Sequence, residues 1–294
     1  MNKVGFIGVG IMGKSMVRNL MKAGFELHIY ARTKSKVEDV ISEGAQFNES
    51  IKDCVQDCDA VITIVGFPQD VEEVYFDEGN ILDSAKKGAY LIDMTTTSPQ
   101  IAEKIYEEGT KRGFHVMDAP VTGGDTGAKA GTLSILVGGE KEDYEACMPL
   151  FEAMGTNINY QGKAGCGQHC KLANQIMIAG TLSGVCEALT YAKEQGLDPE
   201  VFMKSVATGA AGSKQLDTFG PKILKDDYAP GFFMKHFIKD MKLALIEANR
   251  KGLSLDVLSM VLANYEELEQ EGYGDLGTQA LMKFYDEEHR NTEE

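Results

Sequence analysis

The chain has 294 residues, 43% of them hydrophobic, enough to bury a substantial core in one large domain or two ordinary ones. With 29 basic against 45 acidic side chains the formal charge is −16, which argues against a non-specific nucleic-acid binder but leaves room for a locally positive anion pocket. No N-terminal segment combines a basic region, an apolar stretch and a small-residue cleavage pattern, and no run reads as membrane-spanning, so the expectation is cytoplasmic residence without a nucleic-acid or membrane partner.

Lys3–Ile7 is a short strand candidate that runs into glycines, and a helical pattern follows to about Ala23. Residues 25–30 read as a second strand, completing a strand–helix–strand start. Residues 60–65 are apolar except Thr63, as in a central parallel strand covered on both faces. Residues 90–92 and 115–117 repeat the strand character, with helices expected over 71–86 and 99–112. Further strands are expected at 132–137 and, at an edge, 157–160. After Gly167 the pattern changes to long helices, over 168–195, 199–207, 236–251, 255–271 and 277–288, with a polar ending from Asp286 that frays. The glycine-rich turn at Gly162, Gly165 and Gly167 marks the boundary. The fold class is therefore α/β: a Rossmann-type doubly wound sheet in 1–164, followed by an all-helical domain in 165–294.

The six cysteines require no disulfide framework. Cys54 and Cys58 share their spacing with Cys166 and Cys170, which raises a zinc site. That spacing is unlike a zinc knuckle and both pairs fall in helical contexts, so they read as ordinary small core residues and no metal is expected.

Gly8-Val9-Gly10-Ile11-Met12-Gly13 follows a strand and enters a helix, the context a dinucleotide turn needs. Gly8 allows the tight turn, Gly10 leaves room for a pyrophosphate and Gly13 permits close helix–sheet packing. Amides at the positive helix end then face phosphate oxygens. At the end of the next strand, an acidic residue would bind ribose hydroxyls. Arg32, Thr33 and Lys34 stand there instead and suit an additional phosphate, favouring NADP(H) with NAD(H) possible. Val65 and Pro68, at the exit of the 60–65 strand, form a wall over the cofactor. Thr96 is the candidate nicotinamide-side contact, and Ser98 caps the helix that starts at Pro99.

Thr122, Gly123 and Gly124 follow a strand and present a hydroxyl and unobstructed backbone amides to a substrate carboxylate. Lys171 lies early in the long helix, with Asn174 and Gln175 three and four positions on, which helical geometry places near one another. A lysine so placed can donate a proton to a carbonyl oxygen, or as the neutral amine accept one from an alcohol. Asn174 orients lysine or substrate, and Gln175 completes the network as a candidate substrate contact. Lys239, in another amphipathic helix, is a candidate cofactor or substrate contact, with Asp240 as its ion-pair partner.

Residues 5–13, the 118–124 loop, Gly165-x-Gly167-x-x-x-Lys171-x-x-Asn174 and Lys239-Asp240, taken in order over nearly the whole chain, resemble the β-hydroxyacid dehydrogenase family. The resemblance implies that Lys171 is the catalytic lysine with Asn174 its polar partner. It makes Thr122–Gly124 the substrate-carboxylate loop, Thr96 a nicotinamide-side contact and Lys239 a cofactor contact. It also implies an active site between the domains and a homodimer or homotetramer assembled through the helical one. Thr122 stands where serine is common, and Gln175 where many members carry asparagine. The tartronate semialdehyde (2-hydroxy-3-oxopropionate) branch is similar to this chain at Gln175, and the basic residues after the second strand look like the NADP-using semialdehyde reductases. The implied activity is NADPH-linked reduction of a small aldehyde acid to its hydroxyacid, with 2-hydroxy-3-oxopropionate first. The 3-hydroxyisobutyrate and the glyoxylate/succinic semialdehyde branches are alternatives. An imine reductase and a non-catalytic NADP-binding protein are the more distant ones.

Overall fold

The computed structural model describes residues 1–285, and the chain divides into two compact units, Met1–Lys171 and Leu172–Glu294. The division falls inside helix Cys166–Glu194, later than the 164/165 boundary expected from the glycine turn, because the helix's first turn is hydrogen-bonded to the preceding sheet.

Among the described residues of the first unit, nine strands form one sheet: β1 (Lys3–Ile7), β2 (Glu26–Tyr30), β3 (Gln46–Phe47), β4 (Ala60–Thr63), β5 (Tyr90–Asp93), β6 (His115–Asp118), β7 (Val121–Thr122), β8 (Leu133–Gly139) and β9 (Gly155–Gly162). Their order is β3-β2-β1-β4-β5-β6-β8-β7, with β9 also beside β8. The first six pair in parallel; β8 runs antiparallel to β6 and β7 and parallel to β9. The run β3-β2-β1-β4-β5-β6 is the doubly wound order, and its topological switch point, where ligands bind beyond the strand ends, lies between β1 and β4.

Alternate residues of the inner strands serve two cores. Val4, Phe6, Ala60, Ile62, Ile92 and Met117 pack with Met16, Val17 and Leu20 of helix Ile11–Lys22. Ile7, Val61, Leu91 and Val116 pack on the other face with Val71, Tyr75 and Ile105. Burial on both faces is why these strands read as continuous apolar runs, and each such buried side chain contributes roughly 1.5–3 kcal/mol.

Several elements differ from the sequence expectation. The helix expected over 71–86 is two, Pro68–Phe76 and Ile81–Ser84, because Gly79 turns the chain between them with φ of +80°. Residues 124–130, between the 118–124 loop and the strand expected at 132–137, form a short helix. In the second unit Lys214–Ile223 is an additional helix, capped by Ser213, whose hydroxyl accepts from the Leu216 amide at 3.1 Å; Gly220 and Pro221 near its end dilute the helical pattern. Thr278–Tyr285 is a 3-10 helix rather than an α-helix, and residues 286–294, including the rest of that expected helix and the polar ending, lie outside the described residues.

The helix Cys166–Glu194 is long and apolar enough to cross a bilayer, which corrects the expectation that no run is. Its apolar stripe, Leu172, Ala179, Leu182, Val185, Cys186 and Leu189, packs instead in the core of the helical unit with Phe237, Met241 and Tyr265. The start of this helix sits tight on β6 and β8. A Cβ at Gly167 would lie 2.3 Å from the Leu136 carbonyl oxygen and 2.7 Å from that of Asp118, so only glycine allows the approach.

Candidate active site

The three glycines after β1 are glycine for three different reasons. Gly8 has φ of +98°, and a Cβ there would lie 2.1 Å from the Ile64 carbonyl oxygen at the exit of β4. A Cβ at Gly13 would lie 2.1 Å from the Gly8 carbonyl oxygen, so close packing of helix Ile11–Lys22 on the turn demands it. Gly10, the N-cap, has an ordinary φ of −88°, and a Cβ there meets nothing within 4 Å. The fold does not require glycine at that position, and the missing side chain leaves the backbone there open to the approach of a ligand. No side chain caps this helix and no acidic residue lies in its first turn, while Gly10 and Ile11 are exposed. The amides at a helix start lack intrahelical partners, so an open, uncapped, positive helix end fits a pyrophosphate.

Beyond β2, Arg32 and Thr33 are exposed. The Arg32 guanidinium lies 3.1 Å from Asp70 Oδ1, and Asp70 Oδ2 accepts from the Phe67 amide at 2.9 Å. Lys34 pairs with Glu49 at 3.3 Å and lies over the Phe47 ring. Val65 and Pro68 are half-buried, Pro68 at the first position of its helix. The β4 and β5 exits are joined by the Val65 amide, which donates to Thr95 Oγ1 at 3.0 Å.

Beneath them lies a buried polar chain that the sequence did not reveal. Tyr75 OH meets Thr63 Oγ1 at 3.2 Å, Thr63 Oγ1 donates to Asp93 Oδ1 at 2.8 Å, and the Thr95 amide donates to the same oxygen at 3.1 Å. Burial pushes the Asp93 carboxyl up to about 6, against the downward pull of the hydrogen bonds from Thr95 and Thr63. Thr96 is half-buried between Thr95 and Thr97. Ser98 caps helix Pro99–Lys111, accepting from the Gln100 amide at 3.2 Å.

Thr122 ends β7, and Gly123 and Gly124 follow it, exposed, with φ of +127° and +64°. Lys171 is buried, 7% exposed, in the second turn of helix Cys166–Glu194. That helix starts under the control of Asp118, at the end of β6: Oδ1 accepts from the Gly165 amide and Oδ2 from the Gln168 amide, both at 2.8 Å. The Gln168 side chain, fully buried, donates to the Thr95 carbonyl at 2.7 Å and accepts from the Thr97 amide at 3.0 Å.

In the helical unit the structure joins four of the expected residues. Asn174 Nδ2 donates to Gln175 Oε1 at 2.8 Å, and Gln175 Nε2 donates to Asp240 Oδ2 at 2.6 Å. Lys239 Nζ lies 3.1 Å from Asp240 Oδ1. Gln175 and Asp240 are each 1% exposed, so Gln175 holds Asn174 and Asp240 with the two ends of its amide.

Cys54, Cys58, Cys147 and Cys186 are buried, and Cys166 and Cys170 are half-buried. Cys54 donates to the His28 carbonyl and Cys58 to the Cys54 carbonyl, at 3.3 and 3.1 Å, and burial pushes the Cys58 thiol up to about 12. Among the described residues no cluster of three or more His, Cys, Asp or Glu is arranged to hold a metal.

A glycine turn at the switch point of a doubly wound sheet is the arrangement of a dinucleotide-binding domain. Residues 3–162 match the family described as the NAD binding domain of 6-phosphogluconate dehydrogenase, and residues 165–285 that described as NAD-binding of NADP-dependent 3-hydroxyisobutyrate dehydrogenase. The chain is 49% identical over 282 residues to the uncharacterized oxidoreductase YkwC of Bacillus subtilis (strain 168), covering 96% of this chain and 98% of that one. It is 38% identical over 253 residues to 2-hydroxy-3-oxopropionate reductase of Escherichia coli (strain K12), covering 86% of each. The structure of Mycobacterium tuberculosis 3-hydroxyisobutyrate dehydrogenase with L-serine matches with a TM-score of 0.87 at 26% identity, over 96% of this chain and 98% of that one. The chain belongs to the β-hydroxyacid dehydrogenase family, NAD(P)-dependent oxidoreductases acting on CH–OH groups. That membership sets aside the reading as a non-catalytic nucleotide-binding protein.

Gly10→Ala is expected to leave stability within about 1 kcal/mol in urea unfolding while weakening NADPH binding at least about tenfold in a fluorescence titration. Gly13→Ala is expected to lose about 2–3 kcal/mol of stability, because the added methyl meets backbone. Equal stability losses in the two variants would refute the assignment of Gly10 to a ligand. Asp93 supplies a pH test. The folded state holds its proton more tightly than the unfolded chain, so its contribution is full below about pH 4 and is lost as pH rises through about 6. Unfolding midpoints should therefore show Asp93→Asn gaining on the wild type by up to about 3 kcal/mol between about pH 4 and pH 7; a pH-independent difference would contradict this.

Proposed function

We propose that the chain is an NADPH-linked reductase that interconverts a small aldehyde acid and its hydroxyacid, with 2-hydroxy-3-oxopropionate as first substrate. The observation that carries the chemistry is Lys171, a lysine buried in a helix whose start is fixed to the sheet by Asp118. When bound, the reduced nicotinamide supplies a hydride to the carbonyl carbon. The Lys171 ammonium hydrogen-bonds the carbonyl oxygen, stabilises its developing charge and gives it a proton; in the reverse direction the neutral amine takes the hydroxyl proton. Thr122 Oγ1 and the Gly123 and Gly124 amides receive the substrate carboxylate, the positive φ of both glycines turning bare backbone toward solvent.

Gly8–Gly13 hold the pyrophosphate, Val65 and Pro68 wall the cofactor, and Thr96 contacts its nicotinamide side. Arg32, with Thr33 and Lys34, receives the ribose phosphate of NADP(H), exchanging Asp70 for it. Lys239 is the remaining cofactor contact, oriented by Asp240. Gln175 acts as a positioning residue for Asn174, which orients lysine and substrate. The similarity to 2-hydroxy-3-oxopropionate reductase supports the choice of substrate. Exposed Met177, Tyr191, Val201, Val257 and Met260 support self-association as a homodimer or homotetramer.

The test removes bound nucleotide and follows nicotinamide absorbance with NADPH or NADH against 2-hydroxy-3-oxopropionate, methylmalonate semialdehyde, glyoxylate, succinic semialdehyde and a cyclic imine. Turnover of an aldehyde acid, fastest for the first, is expected. Lys171→Ala should lower kcat by about 100-fold or more, and Arg32→Glu should raise the KM for NADPH at least about tenfold while changing that for NADH far less. Turnover of the imine alone, or normal turnover by Lys171→Ala, would overturn the proposal.

A further inference from the structure

Gln168 stands three residues before Lys171 in the same helix, so the two share a face one turn apart. Its backbone amide is held by Asp118 at 2.8 Å. Its side chain is fully buried, and each end of the amide meets backbone of one loop: Nε2 donates to the Thr95 carbonyl at 2.7 Å and Oε1 accepts from the Thr97 amide at 3.0 Å. Those two residues flank Thr96. A primary amide is the side chain that offers a donor and an acceptor side by side on a planar end, and here both are used on a loop about seventy positions away in sequence.

We infer that Gln168 is a positioning residue for the reaction, setting the height of the Thr96 loop relative to the helix turn that presents Lys171. The inference rests on the assignment of Lys171 and Thr96 made above. On the proposed assignment the pyrophosphate is held by the glycine turn after β1, whose residues make none of these hydrogen bonds. Loss of the clamp therefore shifts the relative placement of the two reacting ends and leaves binding of the nucleotide largely intact.

The test uses the full chain and the aldehyde acid that the wild type turns over fastest. Gln168→Met, similar in length but with no amide, is expected to lower kcat about 100-fold, the loss carried by a misplacement of around 1 Å. The dissociation constant for NADPH should stay within about threefold, since the clamp holds the Thr96 loop to the helix and makes no hydrogen bond to the glycine turn. Gln168→Glu adds a readout that a merely structural role does not move. Protonated, the carboxyl donates to the Thr95 carbonyl and accepts from the Thr97 amide as the amide does; ionised, it loses the donor and sets a charge against that carbonyl. Its kcat as a fraction of wild type should rise about tenfold from about pH 8 to about pH 6, whereas that of Gln168→Met should stay flat. Should Gln168→Met fail to fold, the Gln168→Glu ratio decides alone, and a flat ratio overturns the inference. Wild-type kcat in Gln168→Met beside an inactive Lys171→Ala overturns the inference and leaves the proposed function standing. Absence of aldehyde-acid turnover in the wild type, or an active Lys171→Ala, removes that function and the inference with it.

Discussion

Asp118 is the fixed point of the first unit. Its carboxylate ends β6 and accepts two amides from the start of helix Cys166–Glu194, one on each oxygen. Burying a carboxylate is costly unless hydrogen bonds and positive potential offset it, and the helix end supplies both. Burial still holds the Asp118 carboxyl above the usual carboxylate range, against the pull of the Gly165 and Gln168 amides. Glycine at 138 and 167 is the steric condition of the arrangement, since a Cβ at Gly138 would lie 2.5 Å from Asp118 Oδ1. The direction and height at which Lys171 is carried follow from that junction.

The parts of this architecture that were legible in the sequence have a periodic or a local signature. Burial on both faces made β1, β4, β5 and β6 stand out as apolar runs, and the spacing Gly8-x-Gly10-x-x-Gly13 marked the turn after β1. Lys171, Asn174 and Gln175 could be proposed together because they lie at helical spacing within one segment, and the structure places all three in helix Cys166–Glu194. Gln168, Thr95 and Asp70 were not, although each is bound to a named partner. A polar residue whose partner lies far along the chain leaves no periodicity, and in sequence Gln168 is one more helix-compatible residue. Asp93 and Asp118 occupy matched positions on adjacent strands, and each could be read only as a strand end until its partners were known.

Polar groups in the helical unit show the same dependence on partners. Gln175 engages Asn174 and Asp240 with its two amide ends, and Lys239 lies on the other Asp240 oxygen. Shortening Gln175 to asparagine would shift which of these contacts survives. A family difference at this position therefore alters the orientation of its neighbours as well as the room beside them.

On the proposed assignment of Arg32 to the ribose phosphate, its pairing with Asp70 gives nucleotide choice the character of an exchange reaction. Binding a phosphate there substitutes one anion for another, so discrimination measures how much better the phosphate competes than a carboxylate already in place. Added salt weakens the outgoing and the incoming pair alike. Cofactor preference should then depend on ionic strength less steeply than it would with a bare arginine, and an enzyme built this way keeps its choice of nucleotide when the salt around it changes.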